Sequence, residues 1–162
     1  MAQAFRRLGS RVTLVNPGPL MARDDPESVA VIRAVMEAEG VCFLDGEVVT
    51  LEQRGGKIVA RVSLSAGGAE HVTGSHLLVA VGRRANCHGF GLEELGVEIG
   101  DNGIVTDARR RTSVRSIHAI GDCRDGPRLT HAAGYEGSNV ALEIVTGLPT
   151  RVDYRALPWC TY

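Results

Sequence analysis

Aromatic residues, a dominant sign of charge and long apolar runs are all scarce or missing in this sequence. Aromatics make up only 4% of 162 residues, which argues against a surface that stacks nucleic-acid bases. Acidic and basic residues nearly balance, at 19 against 18, so a basic nucleic-acid-binding face is not expected. No run is long and apolar enough to span a membrane, and the N-terminus lacks the apolar region of a signal peptide. The composition predicts neither nucleic acid nor membrane as a partner.

Close-spaced cysteines are also lacking. Cys42, Cys87, Cys123 and Cys160 follow no metal-binding or redox spacing. They are therefore expected to be reduced thiols in a cytoplasmic protein. The pair Cys87 and His88 has no second ligand pair nearby, so a loop is favoured over a zinc site. Cys123 is expected to be a small packing residue. The sequence predicts no metal site.

Apolar residues and glycine are plentiful, at 44% and 20 residues. Glycines at recurring turn positions favour an α/β or β-meander protein. Residues 2–8 predict the end of a helix, and residues 11–15 predict a buried parallel strand. Because a helix that leads into such a strand implies an earlier strand, we expect the chain to begin inside a βαβ unit.

A second helix is predicted from Pro26 to about Glu39, with Asp25 as its N-cap. Its predicted buried face consists of Val29, Ile32, Val35 and Met36. An antiparallel meander follows, with hairpin signals at two glycine pairs. The predicted strands are 41–44, 46–53, 57–65 and 70–73, and a further apolar run covers 76–81.

The second half of the chain predicts shorter elements. A turn is expected at 92–95 and strands at 104–106 and 117–120, the last of them buried. A helix is expected at about 130–146, closed by Gly147. The three consecutive arginines at 109–111 predict a solvated loop, with contact to phosphates as the alternative.

The strand at 117–120 is predicted to end on Gly121 and Asp122. Open α/β sheets bind ligands at the carboxyl ends of their strands, and an Asp carboxylate accepts hydrogen bonds from hydroxyl groups of ribose or ribityl type. Capping of the next loop is the alternative role for this Asp. The small residues that open the helix near 130 leave free N–H groups, which favour an electron-rich partner such as the pyrimidine end of a flavin.

The stretch 112–122, followed by Leu129-Thr130-His131-Ala132, resembles the second FAD-binding stretch of the pyridine nucleotide-disulfide oxidoreductases. This family includes dihydrolipoamide dehydrogenases and mercuric reductases. The resemblance implies that Asp122 binds the ribityl chain of FAD and that residues 128–131 line the isoalloxazine ring, largely through backbone groups. The FAD-site residues implied in this way are Gly121, Asp122, Arg128, Leu129, Thr130, His131 and Ala132.

The resemblance also covers a nicotinamide-binding region. Residues 77–86 resemble the family's strand and the Gly-Arg junction where the chain leaves the nicotinamide domain and returns to the FAD domain, and Gly82 would lie against the bound nucleotide. Val48 matches an adenine-side backbone contact. Asn16 stands where an acidic residue selects NAD in such folds, and because it carries no charge the choice between NAD and NADP stays open.

The fold class implied is α/β, a partial FAD/NAD(P)-binding domain of the Rossmann-like, three-layer type with an antiparallel β-meander. Residues 1–82 would belong to the NAD(P)-binding domain and residues 83–150 to the FAD-binding domain. Residues 151–162 would form a linker and the start of a dimerisation domain, since 157–162 resemble that segment.

The resemblance implies electron transfer from NAD(P)H through FAD to a disulfide-type or metal-ion substrate. The family's close Cys pair, its glycine-rich nucleotide loops and its catalytic His and Glu have no counterpart in this sequence. We therefore expect a fragment without catalytic residues, inactive alone, whose partners are the rest of its parent chain and a second copy in a homodimer. The alternative is a stand-alone nucleotide-binding or oligomeric interaction module.

Overall fold

The computed structural model describes residues 1–161. Tyr162, the last residue of the segment predicted to start a dimerisation domain, lies outside them. The chain divides into two compact units, one formed by Met1–Ala80 with Cys160 and Thr161, and the other by Val81–Trp159. Across the described range, no helix combines the length and apolar character needed to cross a membrane.

The first unit contains a four-stranded sheet. Its strands are β1 (Thr13–Asn16), β2 (Cys42–Arg54), β3 (Lys57–Leu64) and β4 (Ala69–Gly74), in the order β1-β2-β3-β4. β1 pairs with β2 in parallel, and the other two pairs are antiparallel. The expected α/β character and antiparallel meander are confirmed.

Two separate strands, 41–44 and 46–53, were predicted in the region of β2. This was wrong, because the strand continues through Gly46. Gly46 is buried, and a Cβ atom at this position would lie 3.0 Å from Val62 Cγ1 and 3.1 Å from the Leu64 Cα. The missing side chain therefore lets β2 pass close to β3 without a break. The first part of β2 pairs with β1 and the rest pairs with β3.

Two helices accompany this sheet: α1 (Ala2–Arg7) and α2 (Pro26–Ala38). The predicted N-cap of α2 is confirmed, because the Ser28 N–H donates to Asp25 Oδ1 at 2.9 Å. The predicted buried face is wrong, since Ile32 and Val35 are 40% and 45% exposed. A helix buries an apolar face only where another layer lies opposite. The neighbouring edge strand β1 has only four residues, and these are at most half-buried.

The apolar run 76–81 was expected to form a strand, and the structure contradicts this. His76–Ala80 have no regular secondary structure, and Leu77, Val79 and Val81 are 46%, 66% and 92% exposed. A short apolar run becomes a strand only when a neighbouring strand supplies hydrogen-bond partners. No described strand pairs with this run.

The second unit has little sheet. β5 (Ile99–Gly100) and β6 (Gly103–Ile104) form a two-stranded hairpin, so the strand predicted at 104–106 is shorter and begins earlier. The core of this unit is one cluster of small and medium apolar residues. Its buried members are Cys87, Val97, Ile104 and Ala119, with Cys123 and five other half-buried residues packed against them.

The buried strand predicted at 117–120 is also wrong. Only an isolated bridge joins His118 to Arg111, and the backbone folds back locally, with Ala119 N donating to Arg110 O at 3.0 Å. The residues therefore pair across a tight turn instead of joining a ladder. Ala119 is nevertheless buried, at 4% exposure, and the segment still leads directly into Gly121.

The longest helix, α3 (Thr130–Thr146), matches the prediction at both ends. Gly147 ends it with φ of 69°, a left-handed conformation that favours glycine. The buried stripe of α3 consists of Ala132, Glu136, Val140 and Glu143. Two of these four residues are acidic, and both take part in the site described below.

Candidate functional site

The candidate site is built around a tight turn that carries Asp122. Gly121–Cys123 form a single 3-10 turn, and Gly121 has φ of +68°. A Cβ atom at Gly121 would lie 2.9 Å from the Ala133 Cβ of α3, closer than such atoms approach. Only glycine satisfies both the backbone conformation and this close approach. The turn therefore lies directly against the first turn of α3.

The Asp122 side chain points away from the core. It is 42% exposed, and its Oδ2 accepts a hydrogen bond from Arg83 Nη2 at 2.5 Å. Among the described residues no backbone N–H is bonded to this carboxylate, so loop capping does not account for it. A half-exposed carboxylate with free acceptor capacity can receive hydroxyl groups of a ligand.

Arg128 holds the segment that contains Arg83. Its Nη1 donates to the Arg83 carbonyl at 2.6 Å and its Nη2 donates to the Asn102 carbonyl at 3.1 Å. The Arg128 guanidinium is thus engaged with backbone. The structure brings Arg83, Asp122 and Arg128 together at one surface, and Arg83 is a member of this group that sequence reasoning did not single out.

The start of α3 lies next to the turn. Leu129 is the N-cap and provides no side-chain hydrogen bond, so the first amides of the helix have no side-chain cap. Thr130 and His131 are exposed and Ala132 is fully buried. His131 Nε2 lies 2.6 Å from the Pro158 carbonyl oxygen. Uncapped amides at a helix start give a weakly positive surface beside Asp122.

The residues predicted to contact NAD(P) occupy separate places in the two units. Asn16 ends β1, opposite Asp45 of β2, and its side-chain amide donates to the Gly18 carbonyl, which closes the following turn. Val48 lies at an irregularity in the pairing of β2 with β3 and is 37% exposed. In the other unit, Gly82 is exposed and has φ of +139°.

Glu136 is the main site feature that sequence reasoning missed. It is 1% exposed, and its Oε2 accepts a hydrogen bond from the Gly121 N–H at 2.6 Å. Its Oε1 accepts from the Tyr154 hydroxyl and lies 3.2 Å from Arg124 Nη2. The available signal was its position, four residues after Ala132 on the inner face of α3.

The arginines at 109–111 were expected to form a solvated loop, and this was wrong. Arg110 is 7% exposed, with Nε 3.7 Å from Glu136 Oε1. Arg109 and Arg111 both bind the buried Glu143, at 2.7 Å and 2.8 Å. Hydrogen bonding from Arg109, together with the Thr150 N–H and Arg111, lowers the pKa of Glu143 from 4.5 to about 2. The charges are paired because α3 carries two inward-facing carboxylates.

Cys123, the last residue of the turn, is a packing residue. Cys123 packs against the core and its Sγ donates to the Ile120 carbonyl at 3.2 Å. Burial raises the pKa of this thiol above its ordinary value, which disfavours the nucleophilic thiolate. Throughout the part of the chain that the structure describes, no three His, Cys, Asp or Glu residues are grouped so that they could hold a metal ion.

Comparison with known proteins gives a consistent result. Residues 1–137 match the sequence profile described as pyridine nucleotide-disulphide oxidoreductase. A mercuric reductase from Streptomyces lividans and a dihydrolipoyl dehydrogenase from Rhizobium etli are each 36% identical to the chain over 99% of its length. The chain spans 34% of each relative, about a third of their length.

Solved structures agree on the fold. LpdA from Mycobacterium tuberculosis matches 95% of this chain and 33% of its own, with a TM-score of 0.79 at 26% identity. The flavoprotein disulfide reductase RclA from Escherichia coli matches 95% of this chain and 35% of its own, with a TM-score of 0.83. At 22% identity the second likeness supports the fold alone. The Rossmann-like α/β fold class expected from the sequence is confirmed.

Proposed function

The chain belongs to the pyridine nucleotide-disulphide oxidoreductase family, and from this premise we propose that it forms part of the cofactor-binding region of a longer flavoprotein. In this proposal residues 83–150 belong to the FAD-binding domain and residues 1–82 to the NAD(P)-binding domain. Residues 151–162 connect to a dimerisation domain. The whole protein would pass electrons from NAD(P)H through FAD to a disulfide-type or metal-ion substrate, as a cytoplasmic homodimer.

The observation that carries the FAD proposal is the Asp122 carboxylate, half-exposed on a turn that lies against an uncapped helix start. The carboxylate would accept hydrogen bonds from ribityl hydroxyls. The α3 amides, in the segment Leu129–Ala132, would face the pyrimidine end of the isoalloxazine ring. When bound, FAD would supply the two-electron chemistry. Gly121 and Arg128 would keep the turn and the Arg83 segment in place.

Arg83 fits this proposal as an exchangeable partner. Its ion pair with Asp122 is solvent-exposed, with side-chain exposures of 69% and 42%. Exposed pairs of this kind contribute about 0 to 1 kcal/mol, so ligand hydroxyls can replace the guanidinium at little cost. The site thus has the chemistry needed for a ribityl chain.

The nicotinamide part of the proposal rests on Asn16, Val48 and Gly82. Asn16 would bind a ribose hydroxyl through its carbonyl oxygen, because its amide nitrogen is engaged with Gly18. Gly82 would lie against the nucleotide and Val48 would offer a backbone contact to the adenine. Since Asn16 is uncharged, it gives no preference between NAD and NADP.

We assign no catalytic residue to this chain. Its free cysteines are Cys42, Cys87, Cys123 and Cys160, and none of them has the close spacing of the family's redox pair. His131 belongs to the proposed flavin-side helix start and is not assigned as a base. A stand-alone interaction module is not favoured, because relatives that match nearly the whole chain are oxidoreductases by name.

An FAD titration of the purified chain tests this proposal. We expect FAD to bind with a dissociation constant below about 1 mM, which corresponds to a binding free energy of roughly −4 kcal/mol or stronger. Asp122→Ala should weaken binding about tenfold, because hydrogen bonds to a charged group contribute about 1.5–3 kcal/mol. Asp125→Ala is the control, since Asp125 is an exposed carboxylate three residues further along. Flavin fluorescence measures the affinity.

The same samples are then mixed with NAD(P)H and a disulfide or dye acceptor. No turnover is expected, because the chain supplies binding groups and no redox cysteine pair. Measurable turnover by the chain alone would contradict the absence of catalytic residues. Equal FAD affinity of the wild type and Asp122→Ala would contradict the FAD-site proposal.

A further inference from the structure

We propose that Glu136 is the positioning residue of the FAD site, and that its buried carboxylate fixes the Gly121–Asp122 turn so that Asp122 can bind the ribityl chain. The inference rests on the proposed FAD-binding function of Asp122. It assigns a role to a residue that does not itself reach the proposed ligand surface.

The two oxygens of Glu136 serve different parts of the structure. Oε2 accepts the Gly121 N–H at 2.6 Å and so links α3 to the turn. Oε1 accepts the Tyr154 hydroxyl and faces Arg124. Because each oxygen has its own donors, the carboxylate plane is fixed on one side by the arginine and tyrosine and on the other by the turn.

Burial makes the Gly121 N–H dependent on the Glu136 carboxylate. Glu136 is 1% exposed, and Arg110 and Arg124 beside it are 7% and 3% exposed. Water cannot readily replace the carboxylate as acceptor, so the Gly121 N–H depends on Glu136 for its hydrogen bond. The Nε atoms of both arginines are buried and have no hydrogen-bond partner among residues 1–161. The guanidinium groups therefore hold the carboxylate chiefly by charge.

Small residues pack on either side of the contact between α3 and the turn, and the Glu136 carboxylate forms the hydrogen bond between these two elements. Ala133 lies so close to Gly121 that no side chain fits between them, and a Cβ atom at Gly137 would lie 3.2 Å from Ile120 Cδ1. Small residues at these positions bring α3 against the turn, and the Glu136 hydrogen bond then selects its orientation.

Glu143 provides a matched control on the same helix. It is also buried, at 4% exposure, and it also binds two arginines, Arg109 and Arg111. Its Oε2 accepts the Thr150 N–H at 3.1 Å, and none of its hydrogen bonds within the described residues reaches the turn. Loss of Glu143 should therefore affect stability as loss of Glu136 does, without releasing Gly121.

Glu136→Gln is the sharpest change, because a glutamine side chain has one acceptor oxygen where a carboxylate has two. If its oxygen faces Gly121, that N–H keeps only a neutral acceptor, and the NH2 group faces the guanidinium of Arg124, which can only donate. The opposite orientation opposes the Gly121 N–H. In either orientation the charge-assisted hydrogen bond from Gly121 and the ion pair with Arg124 are lost. The volume of the side chain is nearly unchanged.

The experiment compares wild type, Glu136→Gln and Glu143→Gln by NMR hydrogen exchange at the Gly121 amide and by FAD titration. We expect Glu136→Gln to exchange the Gly121 amide about tenfold faster and to bind FAD about tenfold more weakly. Glu143→Gln should lower the melting temperature but leave both values within about twofold of wild type. A general loss of stability would affect the two variants alike.

Each outcome decides the inference. Faster exchange and weaker binding in Glu136→Gln alone support it. Wild-type affinity and exchange in Glu136→Gln, with Asp122→Ala still impaired, overturn the positioning role but leave the proposed function intact. Equal losses in both Gln variants also overturn it, since they indicate a structural role. Failure of the wild type to bind FAD overturns both proposals.

Discussion

At the scale of single residues, Gly121 shows how strictly the backbone of the site is determined. Its φ of +68° belongs to the left-handed region, and a Cβ atom there would meet Ala133 at 2.9 Å. A residue with a side chain would be strained in this conformation by about 1–3 kcal/mol, whereas glycine adopts it freely. Gly121 also donates its N–H to the buried Glu136. Backbone conformation, close packing and a buried hydrogen bond therefore all constrain Gly121.

Gly121→Ala should lower the free energy of unfolding by about 1–3 kcal/mol, because the backbone conformation and the contact with Ala133 are both disfavoured. Gly134→Ala is the matched control: it lies in α3, and an added Cβ would meet no heavy atom of the described residues within 4 Å apart from its chain neighbours and its own helix backbone. This control should be neutral or stabilising by up to about 1 kcal/mol, since alanine favours helix. Urea unfolding measures both. Equal stability of the two variants would show that the turn is not constrained as described.

At the scale of elements, the buried stripe of α3 combines two apolar residues with two carboxylates. Glu136 reaches the turn, and Glu143 binds Arg109, Arg111 and the Thr150 N–H. Both lie on the inner face of the helix, seven residues apart. The helix therefore anchors the loops on either side of it by charge and hydrogen bonding.

The contacts of Glu143 predict that the stability of the protein falls at acidic pH. Hydrogen bonds from Arg109, Thr150 and Arg111 lower the pKa of Glu143 from 4.5 to about 2. A depressed pKa means that this stabilisation is complete above pH 4.5 and is lost as the pH falls towards about 2. Thermal unfolding across this range should show a shallower decline in Glu143→Gln than in wild type. Parallel curves for the two proteins would contradict the assignment.

The helices could be predicted from sequence because their end signals are local. Asp25 caps α2 and Gly147 ends α3 where expected. The runs at 76–81 and 117–120 were mistaken for strands, because apolar composition cannot show whether a pairing partner is present. The prediction of a buried face on α2 was wrong for a similar reason, because helical periodicity does not show whether another layer of the protein covers that face.

The site was predicted in part. Gly121, Asp122 and the start of α3 were identified by resemblance, and the structure brings them together. Glu136 was missed because an acidic residue on a helix is most often solvated, and its burial depends on arginines 12 and 26 residues away in sequence. Long-range charge pairing of this kind leaves no local sequence pattern.

At the scale of the whole molecule, the proposed NAD(P) and FAD residues divide between the two compact units, except that Gly82 belongs to the same unit as the FAD residues. The sheet unit, Met1–Ala80, carries Asn16 and Val48, and the unit Val81–Trp159 carries the proposed FAD residues. The chain belongs to the pyridine nucleotide-disulphide oxidoreductase family and spans about a third of the length of the two relatives compared above. All residues of the proposed FAD site belong to the second unit.

The most direct test is a ¹H–¹⁵N NMR titration of the chain with FAD. We expect the largest shift changes at Gly121, Asp122 and the amides of residues 128–132, and little change in β2 to β4 of the first unit. Shift changes concentrated on that sheet, or no shift changes at FAD concentrations up to about 1 mM, would contradict the FAD-site proposal.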